Sequence, residues 1–383
     1  SAIFSELIQS TFDMAALSVE VALGLIGVLC LWLGFFRIAE KAGLINVLSR
    51  ALSPLFLKLM PEVPKGHASH GSITMNIAAN MLGLDNAATP MGLKAMQDLQ
   101  TLNPDKKTAS NAQILFLVLN TSSVTLLPVT IFMYRAQQGS VEPTAVFIPI
   151  LMATSASTLA GLVAVAWVQK IQLFDKVILA YLAGFALLMA LLATYLVSQP
   201  AEQMAQTSSL LGNLILFSLI MLFLFAGWWR KINVYDAFID GAKEGFDVAV
   251  RLIPFLVGML VAIGVLRTSG VLDGLMHGIA FVLSSLGVNT DFVQALPTAL
   301  MKPLSGSGAR AMMLETMNNF GVDSFPATVS AIMQGSTETT FYVLAVYFGS
   351  VGIRHVRHAI SCALIADAAG ITMAVLAGYW FFY

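Results

Sequence analysis

The chain has 383 residues, of which 57% are hydrophobic and 11% are charged. Soluble domains carry about 25% charged residues, so the composition excludes an ordinary soluble domain and points to a polytopic membrane protein with the lipid bilayer as its first partner. A net charge of −1 leaves no basic footprint for nucleic acid.

Residue 1 is Ser, and no signal-peptide pattern follows it. Residues 17–36 form the first apolar segment of about 20 residues, enough to cross the hydrocarbon core. Residues 71–97 carry Asn76, Asn80, Asp85, Asn86 and Thr89, with Gly83 and Pro90 as breakers, and read as a re-entrant or interfacial hairpin. The next apolar run, 112–134, is interrupted by Asn120, Thr121, Ser122, Ser123 and Thr125. Spans follow at 145–168, 177–197, 210–229 and 248–266. A second hairpin at 295–317 contains Pro297, Pro303, Ser305, Gly306, Ser307, Gly308 and Arg310. Residues 328–349 are again apolar but interrupted, by Gln334, Ser336, Thr337, Glu338 and Thr339, and 358–381 is the last span.

Eight crossings with both ends outside place sixteen of the twenty Lys and Arg residues in the cytoplasm, provided the hairpins do not cross. Only Arg135, Arg267, Lys302 and Arg310 lie outside. Loops 101–109 and 354–357 then face the cytoplasm, and 137–143 and 200–206 face outward. Cys30 and Cys362 sit in distant spans and read as small hydrophobes rather than a disulfide. His67 and His70 lack further ligands, so no metal site is expected.

Residues 12–15 (Phe-Asp-Met-Ala) recur as 246–249 (Phe-Asp-Val-Ala), residues 86–89 align with 307–310, and Asn120 onward aligns with Gln334 onward. Three matches in one order describe a repeated unit. Five crossings separate equivalent points, and an odd number inverts the second copy. The expected fold is therefore an all-α polytopic membrane protein of two inverted-topology repeats, each with a re-entrant or polar-broken hairpin and a discontinuous helix. Residues 1–170 form the first repeat, 171–232 the connecting helices and 233–383 the second repeat.

Polar groups at bilayer depth are expensive where no water can reach them. Two polar breaks in corresponding places point to a solute site between repeats. The expected site residues are Asn76, Asn80, Asn86 and Thr89; Asn120, Thr121, Ser122 and Ser123; Ser305, Ser307 and Arg310; and Gln334, Ser336, Thr337, Glu338 and Thr339. Hydroxyls can equally glue helices together. An ionised Glu338 costs several kcal/mol unless paired, so it is read as a proton carrier, a cation ligand or a solute partner, against a glutamate bonded to Arg310 or to hairpin backbone. Arg310 either meets an anionic group of the solute or neutralises Glu338 or Glu315. Asp367 and Glu20 join Glu338 as candidate ligands for a coupling Na+ or H+, against carboxylates satisfied by packing. No cofactor is expected.

Residues 75–84 and 86–90 (Met-Asn-Ile-Ala-Ala-Asn-Met-Leu-Gly-Leu, then Asn-Ala-Ala-Thr-Pro), followed by 119–125 (Leu-Asn-Thr-Ser-Ser-Val-Thr), resemble the spore maturation protein A family. Residues 241–246, 303–307, 333–342 and 348–352 resemble the spore maturation protein B family, so nearly the whole chain looks like an A–B fusion. The resemblance implies the Gate, or nucleoside-recognition, domain. That domain also occurs in ferrous-iron permeases and is related to concentrative nucleoside transporters, and in spore formers the family is tied to core dehydration. Against that family, an extra amino-terminal helix is expected to be short or absent.

Absence of HExxH, GxSxG and GxxxxGK[ST] motifs argues against an enzyme. The expectation is thus an ion-coupled secondary transporter in the bacterial inner membrane for a nucleoside-like, zwitterionic or hydroxylated solute. A non-transporting assembly factor is the alternative, and an iron permease is less favoured. The related nucleoside transporters suggest a homodimer or homotrimer.

Overall fold

The computed structural model describes residues 2–383 apart from Leu84, and all side chains among them except those of residues 2, 85–87, 197, 201, 202, 251 and 255. The first half comprises α1 (Ala2–Lys41), α2 (Leu44–Leu59), α3 (Ala68–Met81), α4 (Asp85–Leu102), α5 (Asn111–Thr121), α6 (Val129–Gln137) and α7 (Phe147–Gln169). Two connecting helices follow, α8 (Lys176–Val197) and α9 (Ala201–Trp229). The second half comprises α10 (Val234–Thr268), α11 (Val271–Ser285), α12 (Leu296–Met301), α13 (Gly306–Phe320), α14 (Phe325–Ser336), α15 (Thr340–Ser350) and α16 (Ala359–Phe382).

Among the described residues, α1, α7, α8, α9, α10 and α16 are long and apolar enough to cross a membrane. The remaining two spans of the sequence reading are each split, into α5 with α6 and α14 with α15. The hairpins are α3–α4 and α12–α13. His67 caps α3 by accepting the Ser69 N–H at 3.2 Å, and Ser305 caps α13 by accepting the Gly308 N–H at 3.0 Å.

Both long helices outrun their apolar segments. α10 begins fourteen residues before the expected 248, because Asn233 caps it and its charged first turns find partners on α1. Arg37 meets Glu244 at 2.7 Å and Lys41 meets Asp240 at 2.7 Å. Hydropathy cannot register a helix continued by such pairs. Gly241 and Gly245 let the backbones touch: a Cβ on Gly241 would lie 2.1 Å from the Leu33 carbonyl oxygen, and one on Gly245 would lie 2.7 Å from the Cys30 nitrogen.

Gly241 faces Leu33, Gly245 faces Leu29 and Gly264 faces Met14, so α1 and α10 run antiparallel. α7 and α16 do the same: Gln169 bonds His358 at 3.0 Å, Gly161 meets Ala366 and Gly370 meets Ser157.

The loops sort to two ends. At one, Arg354 and His355 donate their N–H groups to the Lys107 carbonyl at 2.8 and 3.0 Å, and Ala109 donates to the His355 carbonyl at 2.9 Å. At the other, Asp323 accepts from Arg135 at 2.9 Å and from the Val141 N–H at 2.9 Å. α7 connects these ends, with Gln169 reaching the Asn111 carbonyl at 3.0 Å.

Candidate functional site

The two broken helices and the two hairpins converge. Each hairpin tip lies on the break of its own half: Leu126 donates its N–H to the Met81 carbonyl at 3.0 Å, and Phe341 donates to the Pro303 carbonyl at 3.0 Å. Gly83 (φ 70°) allows the first approach, since a Cβ there would lie 2.8 Å from the Leu127 carbonyl oxygen. A third bond joins the halves, from the Glu338 N–H to the Thr121 carbonyl at 2.8 Å. Broken helices leave backbone groups without intrahelical partners, and these three bonds use part of that surplus to fix the junction.

Around the junction lies a cavity of about 470 Å³. Of the residues expected from sequence, Asn80, Thr89, Asn120, Ser305, Ser307, Arg310, Gln334, Thr337, Glu338 and Thr339 line it. Asn80 donates to the Asn120 Oδ1 at 2.8 Å, fixing both amides, while the Asn120 amide nitrogen donates to its own helix at Phe116 O, 2.9 Å.

Five expected residues do not line it. Asn76 is buried behind the hairpin, where its Nδ2 donates to the Ala88 carbonyl at 2.7 Å and ties α3 to α4. Thr121 and Ser122 return their hydroxyls to Val118 O at 2.9 and 2.7 Å, and Ser336 returns its own to Met333 O at 2.7 Å. Ser123 is buried off the cavity. These side chains serve helix ends and packing, because a hydroxyl near a helix terminus finds the preceding turn first. The Asn86 side chain lies outside those described.

The carboxylates separate. Glu338 is exposed, lines the cavity, and its side chain has no partner among the described residues; neither expected neutralising contact to Arg310 is present. Glu315 instead pairs with Arg267, which also bonds Asp273 at 2.9 Å. Arg310 lies over the Tyr134 ring, 5.5 Å from its centroid, and its Nε has no partner among the described residues. Glu20 is exposed on α1 and lines no cavity, so it does not join the site. Asp367 is buried beneath the second break and accepts from the Thr340 hydroxyl at 2.7 Å.

Lys302, Tyr342 and Tyr347 also line the cavity and were not singled out from sequence. Lys302 could have been found by the rule that made Glu338 conspicuous, a charge deep in apolar sequence. The tyrosines gave no signal, since aromatic residues in an apolar helix look like packing. Tyr347 stacks on Phe116, with centroids 5.8 Å apart and planes 7° apart, and donates its hydroxyl to Asn120 Oδ1 at 3.3 Å.

The cavity lining carries both signs of charge: Arg310, Lys302 and the amino end of α13 bring positive charge or positive dipole, and Glu338 and the carboxyl ends of α5 and α14 bring negative. A smaller apolar cavity of about 110 Å³ opens on the far side of Arg310, walled by Trp32, Phe36 and Tyr134. Among the described residues no cluster of three or more His, Cys, Asp or Glu could hold a metal ion.

The Gate family, described as nucleoside recognition, matches residues 22–137 and 249–354, the segments that build both hairpins and both breaks. Spore maturation protein B of Bacillus subtilis is 42% identical over 150 residues, covering 39% of this chain and 83% of that protein. Spore maturation protein A of the same organism is 39% identical over 155 residues, covering 40% of this chain and 79% of that protein. An Escherichia coli inner membrane protein, YjiG, is 35% identical over 82 residues, covering 21% of this chain and 54% of that protein. No solved structure matches.

Proposed function

The chain belongs to the nucleoside-recognition Gate family, and from that premise we propose that this multi-pass bacterial inner membrane protein transports a small polar solute through the cavity between its halves. The observation that carries the reading is the 470 Å³ space, lined by charged and polar groups, where both helix breaks meet both hairpin tips. Such a volume suits a metabolite of nucleoside or amino-acid size. Arg310 and the α13 amino end would hold an anionic or carbonyl group, and Glu338 a cationic or donor group. Asn80 and Asn120 would bond hydroxyls or amides between them. The small apolar cavity behind Arg310 gives room for a ring or alkyl portion.

Antiparallel packing of α1 on α10 and of α7 on α16 supports reading the halves as inverted repeats that exchange conformations about the site. An ion gradient would then drive the exchange. Apolar residues such as Leu187, Leu188 and Leu191 on α8 are exposed and would face lipid or a second copy of the chain, with a dimer or trimer measurable by light scattering in detergent.

Uptake by proteoliposomes tests the reading. The expected result is saturable entry of a solute that also stabilises the purified protein, lost in Arg310→Ala. A solute that binds but never crosses would favour the assembly-factor alternative, which the relatives' names as maturation proteins keep in view.

A further inference from the structure

Arg310 stands on the boundary of two cavities of different character. The large one is lined by charged and polar groups. The small one, about 110 Å³, is walled by Leu29, Trp32 and Phe36 from α1, Met133 from α6, and Val248 and Leu252 from α10. Gly83, Thr130 and Arg310 line both, so the two spaces share a partition at the tip of the first hairpin. Gly83 puts no side chain into it, and a Cβ there would meet the Leu127 carbonyl oxygen at 2.8 Å.

No carboxylate pairs with Arg310 among the described residues. Asp323 pairs with Arg135, and Asp273 and Glu315 pair with Arg267. Arg310 instead meets the ring and the hydroxyl of Tyr134. A guanidinium enclosed by apolar helices is costly until an anion balances it. A carboxylate is the planar two-oxygen group that its fork of donors fits. Held by Arg310 from the large cavity, a carboxylate would carry its substituent beside the small one.

The walls of the small cavity define that substituent. Among the described residues, the side chains on its lining that form ordinary hydrogen bonds are Trp32, Thr130, Tyr134 and Arg310, and Tyr134 is already engaged by Arg310. A nucleobase carries donors and acceptors around its edge, and most would go unpaired there, which a buried site penalises. An alkyl group has none to lose. An apolar cavity of about 150 Å³ holds benzene, and 110 Å³ is smaller, so the space suits a branched chain of about three or four carbons better than a ring. The Trp32 and Phe36 rings pack with centroids 5.9 Å apart, and Phe36 packs on Phe223 at 6.2 Å. A wall braced in this way resists expansion.

We propose that the small cavity is a side-chain subsite and that the solute is a carboxylate bearing a branched aliphatic group, with leucine the simplest zwitterionic case. Arg310 holds the carboxylate at the partition, the alkyl group lies between α1 and α10, and Val248 and Leu252 set its permitted size. This rests on the transport reading and deepens it by choosing among the solute classes.

The test is isothermal titration of the purified protein with glycine, alanine, valine, leucine and phenylalanine. Isocaproate, which is leucine without its amino group, serves as companion. Affinity is expected to rise about fourfold for each added carbon up to leucine and to fall at phenylalanine. Isocaproate should obey the same rule, and any advantage of leucine over it, if lost in Glu338→Gln, adds an ammonium contact to the same site. Val248→Phe, which fills the cavity, should move the optimum down to alanine. Leu252→Ala, which enlarges it, should move the optimum up to phenylalanine. A wall with a purely structural role would change the Tm without reordering the series, and two variants acting in opposite directions keep the test decisive if one fails to fold. Affinities blind to side-chain size, an order unchanged in both variants, tighter binding of uridine than of leucine, or no binding by any of the series would each overturn the proposal. The transport reading stands or falls separately, on uptake of any solute by proteoliposomes and its loss in Arg310→Ala.

Discussion

The two helix breaks resemble each other in sequence and differ in how their polar atoms are used. At the first, Asn120, Thr121 and Ser122 spend hydrogen bonds on carbonyls of their own helix, and the Ser122 carbonyl accepts the Thr158 hydroxyl from α7. At the second, Gln334 Oε1 has no partner among the described residues, and Glu338, whose side chain has none either, lines the cavity. Apart from Ser123 Oγ, which is buried without a partner among the described residues, the first break is largely satisfied and acts as a brace. An unsatisfied one holds groups ready for a ligand. The first half therefore forms the frame and the second presents the chemistry, so equivalent substitutions should have different consequences.

The largest contrast should come from charge. Arg310→Ala is expected to weaken solute binding about 10- to 100-fold, the range for a lost hydrogen bond to a charged group, with little change in Tm. Isothermal titration with a bound solute would measure it, and an unchanged affinity would move the site away from Arg310. Replacement by Leu at the two breaks sharpens the comparison. Ser122→Leu should destabilise by about 1–3 kcal/mol through overpacking, because Ser122 is fully buried and its Oγ would lie 3.3 Å from a Cβ on Gly161. Thr337→Leu, at a buried residue that also lines the cavity, should abolish binding. Thermal unfolding and binding measured on the same preparations separate the two.

Much of this was legible in the sequence. Pro, Gly and polar residues inside apolar runs located both hairpins and both breaks, because hydrocarbon penalises them wherever they occur. The rotation of each helix was not legible. Asn76 and Asn80 lie about one turn apart, yet one ties the hairpin together and the other lines the cavity. Hydropathy is blind to that difference, as it is to Ser122 and Ser336 bonding their own helices. The charged starts of α10 were lost for a related reason, since only contact with α1 makes them helix rather than loop.

A smaller effect concerns a tyrosine of α15. A Cβ on Gly92 would lie 2.1 Å from the Tyr347 hydroxyl, so Gly92→Ala should push that ring and break its bond to Asn120. Solute affinity should fall several-fold, about the worth of one neutral hydrogen bond, and Tyr347→Phe should reproduce the loss without the steric change. If Gly92→Ala weakens binding and Tyr347→Phe does not, the hydroxyl is not part of the site.

The smallest effect lies outside the membrane. Asp175 caps α8, and the Val177 N–H together with Lys58 holds its carboxyl below the ordinary carboxylate range. Its stabilising contribution is therefore present above the unfolded-state pKa and is lost as pH falls through the lower folded value. The Tm difference between wild type and Asp175→Ala should be small at pH 7 and disappear in acid.

The central claim is that the space between the two breaks is a solute site, and a thermal-shift screen of the purified protein against zwitterionic, nucleoside and polyhydroxylated metabolites tests it most directly. The account predicts that at least one class raises the Tm of the wild type and leaves that of Arg310→Ala and Thr337→Leu unmoved. A stabilising solute whose shift is undiminished in both variants would contradict it.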